Sequence, residues 1–180
     1  MAALRQPPNL RRILCRSYLY SVKRGDKFER SSKKSAPGWH KCGKNCCICP
    51  FTSKNTTKVT AHITGYTHEI RQAVNCETAN CIYYWKCIKD NCNQFPQCEY
   101  IGLTTRSFKK RFSEHKGYIK SEDTNQPSGN HFNLPGHQLS HMQGLVLEKV
   151  TNSDPFVLRV RESKLIQQFD TFKNGLNKEP

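Results

Sequence analysis

Ten cysteines in 180 residues constrain this chain more than any other feature, because nine of them fall between Cys42 and Cys98. One grouping reads Cys42-x3-Cys46-x2-Cys49, with Cys76 further along. Close thiols, a third nearby and a distant partner suit a tetrahedral structural zinc site. Cys47 is adjacent, and His40, His62 and His68 are alternative ligands. A second grouping, Cys87-x4-Cys92-x5-Cys98, precedes His131-x5-His137. Cys15 and Cys81 stand apart and read as ordinary thiols, and His141 as a surface histidine. Only 36% of residues are apolar, too few for a large core filling the whole chain. Metal is expected to supply what the core lacks.

No run approaches the ~18 apolar residues of a membrane span. The opening, MAALRQPPNLRRILCRSYLY, carries charges throughout and lacks the apolar stretch of a secretory signal. A nuclear or cytoplasmic address is expected, where thiols serve as metal ligands more than as disulfides. The net charge is +15, which points to a polyanionic partner. Residues 1–41 hold 11 Lys+Arg and 2 Asp+Glu, so they carry +9 of that excess. They are also rich in Ser, Pro and Lys, and read as a flexible basic arm with one short helix over Leu10–Tyr20. Such an arm suits salt-dependent phosphate contact.

Residues 42–78 read as a Cys-rich, zinc-binding extension, with a β-hairpin in the Thr-rich stretch 52–75. From 79 to 180 the pattern is strand, strand, helix, loop, strand, helix. The strands are expected at 81–87, 99–103 and 144–150. The first helix begins after Thr104 or Thr105 and buries Phe108, Phe112 and Ile119. Residues 121–141 read as a loop. Ser153-Asp154-Pro155 opens the last helix, which runs to about Phe169 with Leu158, Leu165, Ile166 and Phe169 on one face. Asn174-Gly175 reads as its terminating turn. The fold class is α+β: a small antiparallel sheet of about three strands, flanked by helices.

Glu162 lies four residues after Leu158 and four before Ile166, on that helix's apolar face. A lone carboxylate there is costly unless it is paired or holds a cation. Arg111 and His115 are four apart on the other helix, so their side chains flank one another.

Ile82-Tyr83, Tyr100-Ile101-Gly102, Arg111, His115, Glu162 and the late Gly175-Leu176-Asn177 occur in an order that resembles the GIY-YIG endonuclease family. YIGLTTRSFKKRFSEHKGYI and NHFNLPGH bring it closest to the endonuclease of Penelope-like retroelements. Cys81 stands where the family's leading glycine would be, and Tyr83 and Tyr100 are 17 positions apart, wider than the family's usual spacing. The resemblance implies metal-dependent cutting of DNA, as single-strand nicks. Tyr83 would activate water with Tyr100 nearby, Arg111 and His115 would hold phosphate, and Glu162 would bind Mg²⁺ or Mn²⁺. Lys109 and Lys110 would face solvent or the DNA backbone, and Asn177 would contact DNA.

The resemblance also implies a Cys2His2 zinc site built from His131, His137 and two of the three cysteines in the loop between the tyrosine strands. Cys92 and Cys98 are favoured because they bracket one short turn, with Cys87 as the alternative. One or two structural zinc ions are expected in all. The implied partner is DNA, with retroelement RNA as a further candidate and no membrane. The rival reading is a non-catalytic, zinc-stabilised nucleic-acid-binding protein or an inactive retroelement remnant.

Overall fold

Three segments rich in β-branched and aromatic side chains pair into one antiparallel sheet, and helices cover its two faces. The computed structural model describes residues 35–43, 45–92, 97–151 and 154–178. In chain order the strands are β1 (Gly38–Trp39), β2 (Lys58–Thr60), β3 (Thr67–Glu69), β4 (Ala73–Val74), β5 (Cys81–Cys87) and β6 (Glu99–Thr104). Helices α1 (Phe108–Lys120) and α2 (Pro127–Phe132) follow, then strand β7 (Met142–Lys149) and helix α3 (Pro155–Phe169). The architecture is α+β, as the sequence implies. No helix among the described residues is long and apolar enough to cross a membrane. The expected helix over Leu10–Tyr20, and Cys15 within it, lie outside the described residues.

The main sheet has the order β6-β5-β7, with Tyr83 opposite Gly102 and Trp85 opposite Tyr100. β5 is covered on both faces, which is why CIYYWKC runs apolar without alternating. Tyr83 faces α1, its ring 5.7 Å from that of Phe108, while Tyr84 faces α3 and lies 5.6 Å from Phe169. β2 and β3 form the expected hairpin, with Lys58 opposite Glu69.

β1 pairs in parallel with β4. Its Trp39 is fully buried and meets Phe108 edge-on at 5.5 Å. Residues 36–41, assigned to the arm from their composition, therefore belong to the folded unit, which spans Ala36–Pro180. One hydrophobic cluster runs from Trp39, Ile48 and Val74 into Tyr83, Phe108 and Phe169. Burying a side chain of this size contributes roughly 1.5–3 kcal/mol. The Cys-rich segment thus shares its core with the sheet.

Four details differ from expectation. α1 is capped by Ser107, whose hydroxyl accepts the Lys110 N–H. Thr104 instead stays in β6 and accepts the Arg106 N–H. The stretch 121–141 contains α2, opened by Pro127 and burying Ser128, Gly129, His131 and Phe132. α3 is capped by Asp154 and buries the four residues its periodicity marks. It stops at Asp170, which takes a left-handed φ of 56°, before Asn174-Gly175 is reached. β7 starts at Met142, two residues early.

Candidate active site and metal clusters

β5 and β6 present Tyr83 and Tyr100 side by side beneath α1. Gly102 makes this possible: a Cβ there would lie 2.5 Å from the Tyr83 hydroxyl oxygen and 2.7 Å from the Tyr100 ring. The space left by the missing side chain is filled by tyrosine rings. Arg111 and His115, one turn apart on α1, both reach the Tyr83 hydroxyl. Arg111 Nε donates to it at 3.0 Å, and His115 Nε2 lies 2.8 Å from it. Behind His115, its Nδ1 is 3.1 Å from Ser128 Oγ. Arg111 Nη1 also donates to Glu114, which in turn binds Arg106 at 2.6 Å.

Burial dominates the electrostatics. It raises the Tyr83 hydroxyl well above its ordinary pKa, with Arg111 pulling the other way. Burial and the Arg111 charge together lower His115 to about 3, so its ring is neutral. Tyr100 stacks on Trp85 with ring centroids 5.1 Å apart. Its hydroxyl is raised by burial, lowered by Arg111 and raised again by Glu162. Glu162 therefore lies on this flank. Its carboxyl is pushed up to about 7 by burial, against the Leu103 N–H and the charges of Arg111 and Arg159. Among the described residues Glu162 forms no ion pair.

The remaining expected site residues fall elsewhere. Lys109 pairs loosely with Glu77 at 3.8 Å, and Lys110 is exposed. Asn177 is hydrogen-bonded to the Ile101 main chain. Its amide oxygen accepts the Ile101 N–H at 3.0 Å, and its nitrogen donates to the Ile101 carbonyl at 2.7 Å.

Two side-chain groups could hold a metal ion such as zinc. Cys42, Cys46, Cys49 and Cys76 form one; Cys87, Cys92, His131 and His137 form the other. In each, the ligand atoms lie within 4.8 Å of one another. The Cys49 sulfur is 3.5 Å from that of Cys42 and 3.4 Å from that of Cys76. A tetrahedral Zn–S site places its sulfurs about 3.8 Å apart, so the donor set fits. Burial raises the Cys46 thiol, but the N–H groups of Ile48 and Cys49 and the neighbouring sulfurs bring it down to about 7. In the second group, His131 Nε2 and His137 Nε2 each lie 3.5 Å from Cys92 Sγ.

The second group corrects the favoured ligand set, since Cys87 takes the place given to Cys98. Cys98 immediately precedes β6, and its carbonyl accepts the Cys87 N–H at 2.8 Å. Cys87 closes β5 opposite Met142, next to the turn that carries His137 and His141. Cys47, His40, His62 and His68, the alternatives for the first group, stay outside it.

Two participants were not legible in the sequence. Ser128 and Glu114 have no motif of their own, and Ser128 meets His115 only because α2 folds back on α1. No protein-family model, curated protein or solved structure matches this chain.

Proposed function

We propose that this chain is a metal-dependent DNA endonuclease of the GIY-YIG kind, nicking DNA as the nucleases of Penelope-like retroelements do. Four residues picked out by sequence order lie together, Tyr83, Tyr100, Arg111 and His115, and the charge of a fifth, Glu162, acts on Tyr100. That grouping is the observation that carries the reading. Arg111 would hold the scissile phosphate, for which its planar fork is suited. In the present arrangement its guanidinium is hydrogen-bonded to the Tyr83 hydroxyl. An incoming phosphate would draw it forward and open the tyrosine oxygen to water. Tyr83 would take the proton of the attacking water as it passes its own to His115 Nε2, 2.8 Å away, and Arg111 would offset the charge as it develops. Glu162 would hold Mg²⁺ or Mn²⁺, which when bound neutralises charge on the scissile phosphate. The two Cys/His groups would hold structural zinc.

The non-catalytic reading, a zinc-stabilised nucleic-acid-binding protein or inactive remnant, is favoured by one observation: Tyr83 is fully buried. Plasmid nicking decides between them. The wild type is expected to relax supercoiled DNA with Mg²⁺ or Mn²⁺, and Arg111→Ala and Glu162→Ala to lose roughly 10²–10³-fold in rate. DNA binding that is salt-sensitive and unaltered by Glu162→Ala, with no nicking under either metal, would leave the binding protein.

A further inference from the structure

We infer that Ser128 is a positioning residue: by holding the proton of His115 on Nδ1, it sets the direction of a buried hydrogen-bond chain that ends at Arg111. The inference rests on the nuclease reading for its use in catalysis, but its geometry is independent of that reading.

The chain can be followed donor by donor. Ser128 is fully buried, and its hydroxyl reaches two groups of one residue, the His115 carbonyl at 3.4 Å and His115 Nδ1 at 3.1 Å. A hydroxyl has one proton. When that proton is donated to the carbonyl, the oxygen faces Nδ1 with a lone pair, and Nδ1 must carry the hydrogen. The imidazole is then neutral with Nε2 unprotonated. Tyr83 donates its own proton to Nε2, across 2.8 Å. The tyrosine oxygen is left with lone pairs for the Arg111 Nε–H, at 3.0 Å. Every donor in the series has one acceptor.

Reversing the histidine changes the far end. If Nε2 carried the proton, it would donate to the tyrosine oxygen, and the Tyr83 proton would have to turn toward Tyr100, since Arg111 can only donate. The base that faces the tyrosine proton would be lost. Ser128 therefore acts through His115 on both the acidity of Tyr83 and the pose of Arg111, although it touches neither. The sequence conceals this, because Ser128 sits on a six-residue helix with no periodic signal.

The test is long-range ¹⁵N–¹H NMR of the histidine rings in the zinc-loaded full chain, with His115 assigned by its loss in His115→Gln. The wild type is expected to show the Nδ1–H tautomer. Ser128→Ala should shift the ring toward the other tautomer, and Ser128→Thr, which keeps the hydroxyl, should restore it. In plasmid nicking, Ser128→Ala should lower kcat by roughly 10-fold to 100-fold with little change in KM, below the ~10²–10⁴-fold a general base contributes. A wild-type ring protonated on Nε2 overturns the inference, as does a ring unchanged in Ser128→Ala. Should the alanine variant fail to fold, the wild-type spectrum still decides the direction of the chain. A wild type with the expected tautomer that never nicks DNA overturns the nuclease reading and supports the hydrogen-bond assignment.

Discussion

The two groups that could hold a metal touch the same helix in different ways. The four-thiol group draws three members from Cys42–Cys49 and one from Cys76, and it meets α1 through main chain. The Cys76 carbonyl accepts the Lys109 N–H at 2.8 Å, and the Thr78 carbonyl accepts the Phe108 N–H at 2.9 Å. These are two of the first-turn donors that a helix cannot satisfy itself. Lys116 reaches back to the Cys47 carbonyl and over the Phe51 ring. The Cys2His2 group draws on the end of β5, the following loop, α2 and the turn beyond it. It reaches α1 through side chains on either side of His131: Ser128 meets the His115 ring and carbonyl, and Asn133 donates to the Ile119 carbonyl at 3.1 Å. One group holds the start of α1 through main chain; the other meets its later turns through side chains, one of them at a buried ring.

Substitutions can break that distinction. The largest effect is expected from Cys76→Ser, which removes a fully buried ligand beside the start of α1. It should cost roughly 5 kcal/mol or more, as loss of a structural metal does. His137→Ala, at the half-exposed rim of the other group, should cost roughly half as much. It should also release α2 and disturb the His115 ring. Thermal denaturation of the zinc-loaded proteins, followed by circular dichroism, measures both. Equal losses would mean the groups do the same work.

Acidification should separate the groups next. A thiol must lose its proton to bind metal, so lowering the pH favours the metal-free form. Burial raises Cys76, and it pushes Cys87 up to about 12. His131, lowered to about 4 by burial, is already neutral above that pH and competes little. Each pH unit lost below about 7 should therefore weaken the four-thiol group by up to about four powers of ten and the other by about two. Zinc release to a colorimetric chelator between pH 7 and 5 reads the two slopes, and identical slopes would contradict the ligand sets. The smallest effect is expected from Lys116→Ala. It loses one carbonyl contact and a cation–π contact at 4.3 Å, worth about 0.5–1 kcal/mol in all. A lowered Tm with unchanged nicking would locate that contact on the outside of the helix.

Elements whose own residues form an apolar run or period were readable. β5 and the buried face of α3 follow directly from CIYYWKC and from Leu158, Leu165, Ile166 and Phe169. The hairpin was readable too, because Thr-rich strand formers flank a Gly-containing turn. Features decided by neighbours were not. Thr104 stays in β6, and the cap falls three residues later on Ser107. α2 is too short to show a period. Cys87 displaces Cys98 because sheet pairing, which spacing does not encode, sets which thiol meets the histidines. Trp39 sits in a basic, Ser-rich neighbourhood, yet long-range packing on Phe108 overrides that composition.

After α3 the chain returns along the outer side of β6. The Gln97 N–H binds the Asn174 carbonyl, the Leu176 N–H binds the Glu99 carbonyl, and Asn177 brackets Ile101. Alternate residues of the sheet's outermost strand are thereby closed off, although no strand is added there. An uncovered border would be a template for another copy or a stray peptide to pair with. A few residues after the last helix thus act as a stopper against edge-to-edge association, on the same strand that carries Tyr100 and Gly102.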